Sequence, residues 1–270
     1  MAALVIAVTA GLVVAMTVAW LIQRATRNAG WVDVMWTFAL GAAGVTYALY
    51  PVQGGMVPGG MTTGRQILVA VLAGAWSLRL GLHIAARTVH GAEDSRYAQF
   101  RREWGDGFES RMFWFLQIQA SAAAFLAVAV LLAARNPLPL SWRDGVAVGV
   151  SVISIVGEAV ADRQLQRFRS DPAHHGQICD AGLWGWSRHP NYFFEWLGWI
   201  AYPLFAIDPR GEYPWGWLAI SAPIFMYWVL VYVSGIPPLE QQMLKSRGDA
   251  FRRYQARVSA FIPMPPARSS

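Results

Sequence analysis

Residues 3–23, from Ala3 to Gln23, read ALVIAVTAGLVVAMTVAWLIQ, twenty-one positions without a charge. An α-helix rises about 1.5 Å per residue and the hydrocarbon core of a bilayer is about 30 Å thick, so about 20 apolar residues make one crossing. Apolar runs recur along the chain: Val34–Val52, Ile67–Ala86, Met112–Ala134, Gly145–Ala161, Tyr192–Ile207 and Trp215–Ile236. The runs at Gly145–Ala161 and Tyr192–Ile207 are shorter and carry acids at their ends. The expectation is an all-α polytopic membrane protein, a bundle of seven transmembrane helices.

Composition agrees. Of 270 residues, 55% are hydrophobic and 14% charged, against about 25% charged in a soluble domain. Such a chain cannot solvate its own surface in water. Arginine and lysine then set orientation. Segments after the first, third, fifth and seventh runs carry 17 of them, the opposite segments carry 4, and Arg79 lies inside a run. The positive-inside rule puts the 17-charge face in the cytoplasm, so the N-terminus is outside and the C-terminus inside. The net charge of +6 is therefore a topology signal, and no nucleic-acid partner is expected. The first run lacks a charged segment before it and a small-residue cleavage site after it, and reads as a retained helix.

The opposite-face loops, such as Gly54–Gly64 and Asn136–Leu140, are short and rich in glycine and proline. The arginine-rich segments Arg87–Arg111, Asp162–Pro190 and Gly235 onward are longer, and function concentrates on such segments. Without repeats, residues 1–264 form one membrane-embedded domain and Pro265–Ser270 a disordered tail. Cys179 is the single cysteine, so no internal disulfide forms. His174, His175 and Cys179 crowd together, but adjacent histidines diverge on a helix, and no metal site is expected. A Rossmann glycine motif and a Walker loop are both absent.

Three polar features stand out. Arg79, His83 and Arg87 follow one another at steps of four and share a helix face. An arginine in mid-helix costs about 2.5–3.5 kcal/mol. Two readings fit it: pairing with a neighbouring helix, or a polar cavity for a ligand. Glu158, Asp162, Gln166 and Arg169 form a second stripe, with Arg163 and Arg167 beside it. It fits a solvated helix end, except that Glu158 is still within apolar sequence. The third feature is Gly182 to Tyr192, GLWGWSRHPNY. Ser187 followed by Pro190 reads as a helix start, whose free N–H groups, with Arg188 and His189, suit a phosphate or carboxylate. Asn191 and Glu195 share a face just beyond. An interfacial aromatic belt with a capped helix fits the same residues.

With these residues in view, the chain resembles the steroid 5α-reductase-like membrane family, and more narrowly its DUF1295 branch, related to sterol reductases and isoprenylcysteine carboxyl methyltransferases. The markers are Trp31-Val32-Asp33-Val34-Met35-Trp36, Gly91 to Tyr97 (GAEDSRY), Trp104-Gly105, Ser187 to Tyr192 (SRHPNY), Ser234-Gly235-Ile236-Pro237, Arg257 and Phe261-Ile262-Pro263. The resemblance implies a seven-helix fold that binds NADPH in a cytoplasm-facing cavity without a Rossmann domain, in a bacterial cytoplasmic membrane. It places Asp162 at a cofactor-binding aspartate, Arg167 or Arg169 at a nearby arginine, Asn191 and Glu195 at the asparagine and glutamate of the sixth span, and Arg87 at an arginine ending the third. Glu158 stands where the reductases have asparagine. Their substrate-binding tyrosine is replaced by Ile84, their second-span glutamate has only Asp33 nearby, and the arginine and histidine of their last helix are missing around Ser234–Leu239.

The leading expectation is an NADPH-dependent reductase of a lipophilic enone or activated C=C bond, its substrate entering from the bilayer. The cofactor-binding candidates are Arg87, Asp162, Arg163, Arg167, Arg169, Arg188, His189, Asn191, Tyr192 and Glu195; the catalytic candidates are Arg79, His83 and Asp33. A methyltransferase using S-adenosylmethionine on a lipid or prenylated substrate is the alternative. A non-enzymatic transporter or lipid-binding protein is the third reading.

Overall fold

The apolar runs are helical, the last of them broken into 3-10, α and π segments between Pro214 and Val233. The computed structural model describes residues 1–51, 63–90 and 95–267. Helices α1 (Ala2–Thr26), α2 (Gly30–Leu49), α3 (Gly64–His90), α4 (Ser95–Trp104), α5 (Phe108–Arg135), α6 (Trp142–Ser170), α7 (Pro190–Ala206), α8 (Ser221–Trp228) and α9 (Ile236–Arg257) follow in order. Among the described residues there is no strand, only an isolated bridge between Ser187 and Ser259. Six helical stretches are long and apolar enough to cross a membrane: α1, α2, α3, Arg96–Arg135, α6, and Pro214–Arg257, whose apolar part precedes α9. The side chains they leave exposed are large and apolar, such as Ile6 and Val14 on α1, Val71 and Leu82 on α3, Ile118 on α5 and Val156 on α6. Water would not sustain such faces; hydrocarbon does.

The arginine-rich segments are more helical than loop-like. The segment Arg87–Arg111 holds α4, stacked on its own aromatics through Phe100 and Trp104 at 4.6 Å between ring centroids. The marker residues Gly91–Asp94 and most of the Gly54–Gly64 loop lie outside the described residues. Of the tail, 268–270 do too, while Ala267 N–H donates to the Arg257 carbonyl at 2.9 Å.

The chain divides into two compact units: Met1–Val146 with Tyr202–Ile220, and Ala147–Ala201 with Ser221–Ser270. In the first, α2 lies against α1, α3 and α5. Trp20 and Trp36 donate their indole N–H groups to the Glu109 and Gln119 carbonyls of α5 at 2.9 and 3.1 Å. Ser77 on α3 donates to the Thr37 carbonyl at 3.1 Å. At the other end of this unit, Arg65 opens α3 and Asp144 opens α6. The two meet through paired hydrogen bonds of 2.7 and 3.0 Å, with both side chains almost fully buried. Arg65 also donates to the carbonyls of Asn136, Leu138 and Pro139.

In the second unit, α6 and α7 cross at their smallest residues. Gly157 lies beneath the Phe194 ring, where a Cβ would collide with it, and Ser154 donates to the Phe194 carbonyl at 2.6 Å. The last spanning run ends in a π-helical turn, Val229–Val233, followed by Gly235 and α9. Helix α9 is folded back on itself. Gly248 has φ +49° and ψ −122°, a conformation that favours glycine. Beyond it, Phe251, Tyr254 and Val258 pack with Met243 and Leu244 of the first half.

Candidate functional site

The Ser187–Tyr192 motif is built into the second unit by its backbone and by every polar side chain at its start. Helix α7 begins at Pro190, as expected. Ser187 accepts the His189 N–H at 3.1 Å and donates its hydroxyl to the Phe261 carbonyl at 2.8 Å. The Arg188 N–H donates to the Ser259 carbonyl, and the Met264 N–H to the Trp186 carbonyl. The marker residues near the C-terminus are thus the inner wall of the motif. Upstream, Trp184 donates its indole N–H to the Ala161 carbonyl of α6, and Leu183 N–H to Gln164.

At the centre stands Glu240 on α9. Arg188 grips it with two bonds, Nε to Oε1 at 2.7 Å and Nη2 to Oε2 at 3.2 Å. His189 Nε2 lies 3.1 Å from Oε1, and Gln255 Nε2 donates to Oε2 at 2.7 Å. Burial alone would raise the Glu240 carboxyl. The hydrogen bonds from His189, Arg188 and Gln255, with the Arg188 charge, outweigh it and hold the pKa at about 2. Burial acts the other way on His189 and pushes its pKa below 6.5, against the pull of Glu240. His189 is therefore neutral near pH 7 and its Nε2–H donates to an ionised Glu240. The His189 ring stacks on Tyr192, 5.6 Å between centroids.

The remaining second-unit candidates divide by burial. Glu158 and Asp162, one turn apart on α6, are buried, and so is Glu195 on α7; Trp199 donates its indole N–H to Glu195 at 2.9 Å. Asn191 and Tyr192 are half-buried, and Arg163, Arg167 and Arg169 are exposed along the end of α6. The two apolar helices thus carry three buried carboxyl groups, with the arginines exposed along the end of α6. No His, Cys, Asp and Glu grouping able to hold a metal occurs among the described residues. Cys179 is buried, and burial raises its thiol pKa, which keeps it a poor nucleophile.

The first unit holds Asp33, Arg79, His83 and Arg87. Arg79 and His83 are half-buried on α3 and Arg87 is exposed near its end. Asp33 accepts from Tyr97 at 2.7 Å and from Arg96 at 2.8 Å. Two marker motifs that the sequence shows 60 residues apart thus bind each other, which gives Asp33 an anchoring role in holding α4 to α2. Sequence reasoning missed this pairing, and it missed Glu240, Gln255 and the Arg65–Asp144 pair. The available signal for Glu240 was an acid just after Pro237-Pro238 in a mostly basic tail, able to pair with the arginine and histidine of the motif.

The long apolar helices and the ion pairs at their ends define a polytopic membrane protein. The chain belongs to the family described as protein of unknown function (DUF1295), which matches residues 19–258. It is similar to an uncharacterized protein of Schizosaccharomyces pombe, 26% identical over 275 residues that cover 91% of this chain and 76% of the relative. No solved structure matches.

Proposed function

We propose that this chain is a membrane-embedded, NADPH-dependent reductase of a lipophilic enone or activated C=C bond, in the manner of the steroid 5α-reductase-like proteins it resembles. The observation that carries the reading is the burial of Glu158, Asp162 and Glu195 on apolar helices. Ionisable groups held in such helices mark a polar ligand or pathway rather than packing. Carboxylates accept from ribose and carboxamide donors, and the arginines at the end of α6 suit phosphates. Both needs of a dinucleotide are met by one helix. A seventh crossing by α7, whose 17 residues reach the lower limit of about 17 for a span, belongs to this reading. So do an outside N-terminus, a cytoplasmic C-terminus and a bacterial cytoplasmic membrane.

NADPH, when bound, supplies the hydride. Asp162 would hold the ribose, Arg163, Arg167 and Arg169 the phosphates, and Asn191 and Glu195 the orientation of the reactive ring. Reduction at the carbon β to a carbonyl leaves charge on the oxygen, which must be stabilised as it forms. In the first unit, Arg79 and His83 carry the cation and the donor that such a task needs. Arg188, His189 and Tyr192 hold the start of α7 and so position Asn191.

A second reading has one observation of its own. The Arg188–His189–Glu240 cluster joins the Arg-His-Pro motif to the tail, as would suit a methyltransferase using S-adenosylmethionine. Calorimetric titration of the purified protein separates the two. Saturable NADPH binding, weakened about tenfold or more by Asp162→Asn, is the expected result. Saturable binding of S-adenosylmethionine alone would overturn the reductase.

A further inference from the structure

In the first unit, α1, α4 and α5 surround an open depression of about 390 Å3 lined by Gln23, Arg24, Arg27, Arg101 and Glu109. Three cations and one carboxylate leave its lining with a net charge of +2. Its floor is polar as well. Gln23 is fully buried and gives its Nε2–H to Glu109 at 2.8 Å, while its Oε1 has no hydrogen-bond partner among the described residues. The rim is held by aromatic faces: Arg24 lies over Trp20 at 4.6 Å and Arg101 over Phe108 at 4.2 Å. Arg27 ends α1 with φ +53°, where glycine or asparagine is usual.

We propose that this depression binds the headgroup of an anionic phospholipid, with the phosphate on the arginines and a headgroup hydroxyl donating to Gln23 Oε1. The occupant follows from the chemistry. Net positive charge calls for an anion, and a buried acceptor calls for a ligand that also carries a donor. A phosphoglycerol headgroup has both, whereas a phosphocholine headgroup has neither a net charge nor an O–H or N–H. The surroundings supply the acyl chains' path. Val14, Val18 and Leu21 are exposed along α1 below the arginines, and Trp114 and Ile118 are exposed along α5. Basic pockets at the ends of spanning helices bind anionic headgroups for these reasons.

The test is native mass spectrometry of the delipidated full chain in detergent, with phosphatidylglycerol, phosphatidylcholine, inorganic phosphate and NADPH as separate probes. Phosphatidylglycerol is expected to bind at least about tenfold more tightly than phosphatidylcholine, and to withstand excess phosphate and NADPH. The R24Q/R27Q variant should lose on the order of tenfold or more in that affinity. R101Q, on a different helix and with an unchanged melting temperature, should lose severalfold. Equal binding of the two lipids, displacement by phosphate or NADPH, or undiminished lipid binding by R101Q would each overturn the proposal. Displacement by NADPH would not touch the reductase reading, which rests on Asp162.

Discussion

Glu240 accepts from three side chains, and its stability effect has a calculable sign. Its pKa is held down at about 2 against an ordinary 4.5, so its contribution is complete above pH 4.5 and is lost as pH falls toward 2. His189 is pushed below 6.5; its neutral form is the native one, and acidification below pH 6.5 favours unfolding. Melting temperature in detergent should be flat above pH 7, decline below 6.5 and decline again below 4.5. Glu240→Gln should weaken the second decline and leave the share that belongs to the Arg65–Asp144 pair. Glu240→Ala leaves the largely enclosed Arg188 guanidinium without its carboxylate and should cost up to about 3–5 kcal/mol, with Arg65→Met against the almost fully buried Asp144 at the upper end. Either loss is measurable by denaturant or thermal unfolding. Asp162→Asn, by contrast, should lower nucleotide affinity with little change in melting temperature.

Among the elements, α9 shows where reading from sequence stops. A straight helix would separate Glu240 from Gln255 by about 22 Å, yet their side chains bond at 2.7 Å. The reversal at Gly248 closes that distance. A side chain there meets a backbone conformation that costs about 1–3 kcal/mol, so Gly248→Ala should destabilise by that amount and loosen the Arg188 clamp. Thermal unfolding and the acid transition would both report it. The stretch Lys245 to Phe251 has no hydrophobic period that changes at Gly248, which is why the hairpin was not legible. The spanning helices were, because bilayer thickness dictates their length and leaves an uninterrupted apolar run. The Arg188, His189 and Pro190 helix start was legible through proline chemistry. Its acid partner, 52 residues away in sequence, was not, because a long-range ion pair leaves no spacing to count. The same limit hid Asp33 from Arg96 and Tyr97, although both motifs were visible.

For the molecule as a whole, the long helices and their apolar exposed faces describe a chain that lives in a bilayer. With seven crossings, reporter fusions should show the C-terminus in the cytoplasm and the N-terminus outside; termini on the same side would remove α7 from the count. The central claim concerns the cofactor. A native mass spectrum of the full chain, purified without added ligand and then supplied with NADPH, should show a one-to-one NADPH complex that Asp162→Asn weakens. A complex with S-adenosylmethionine or its demethylated product, and none with NADPH, would contradict it.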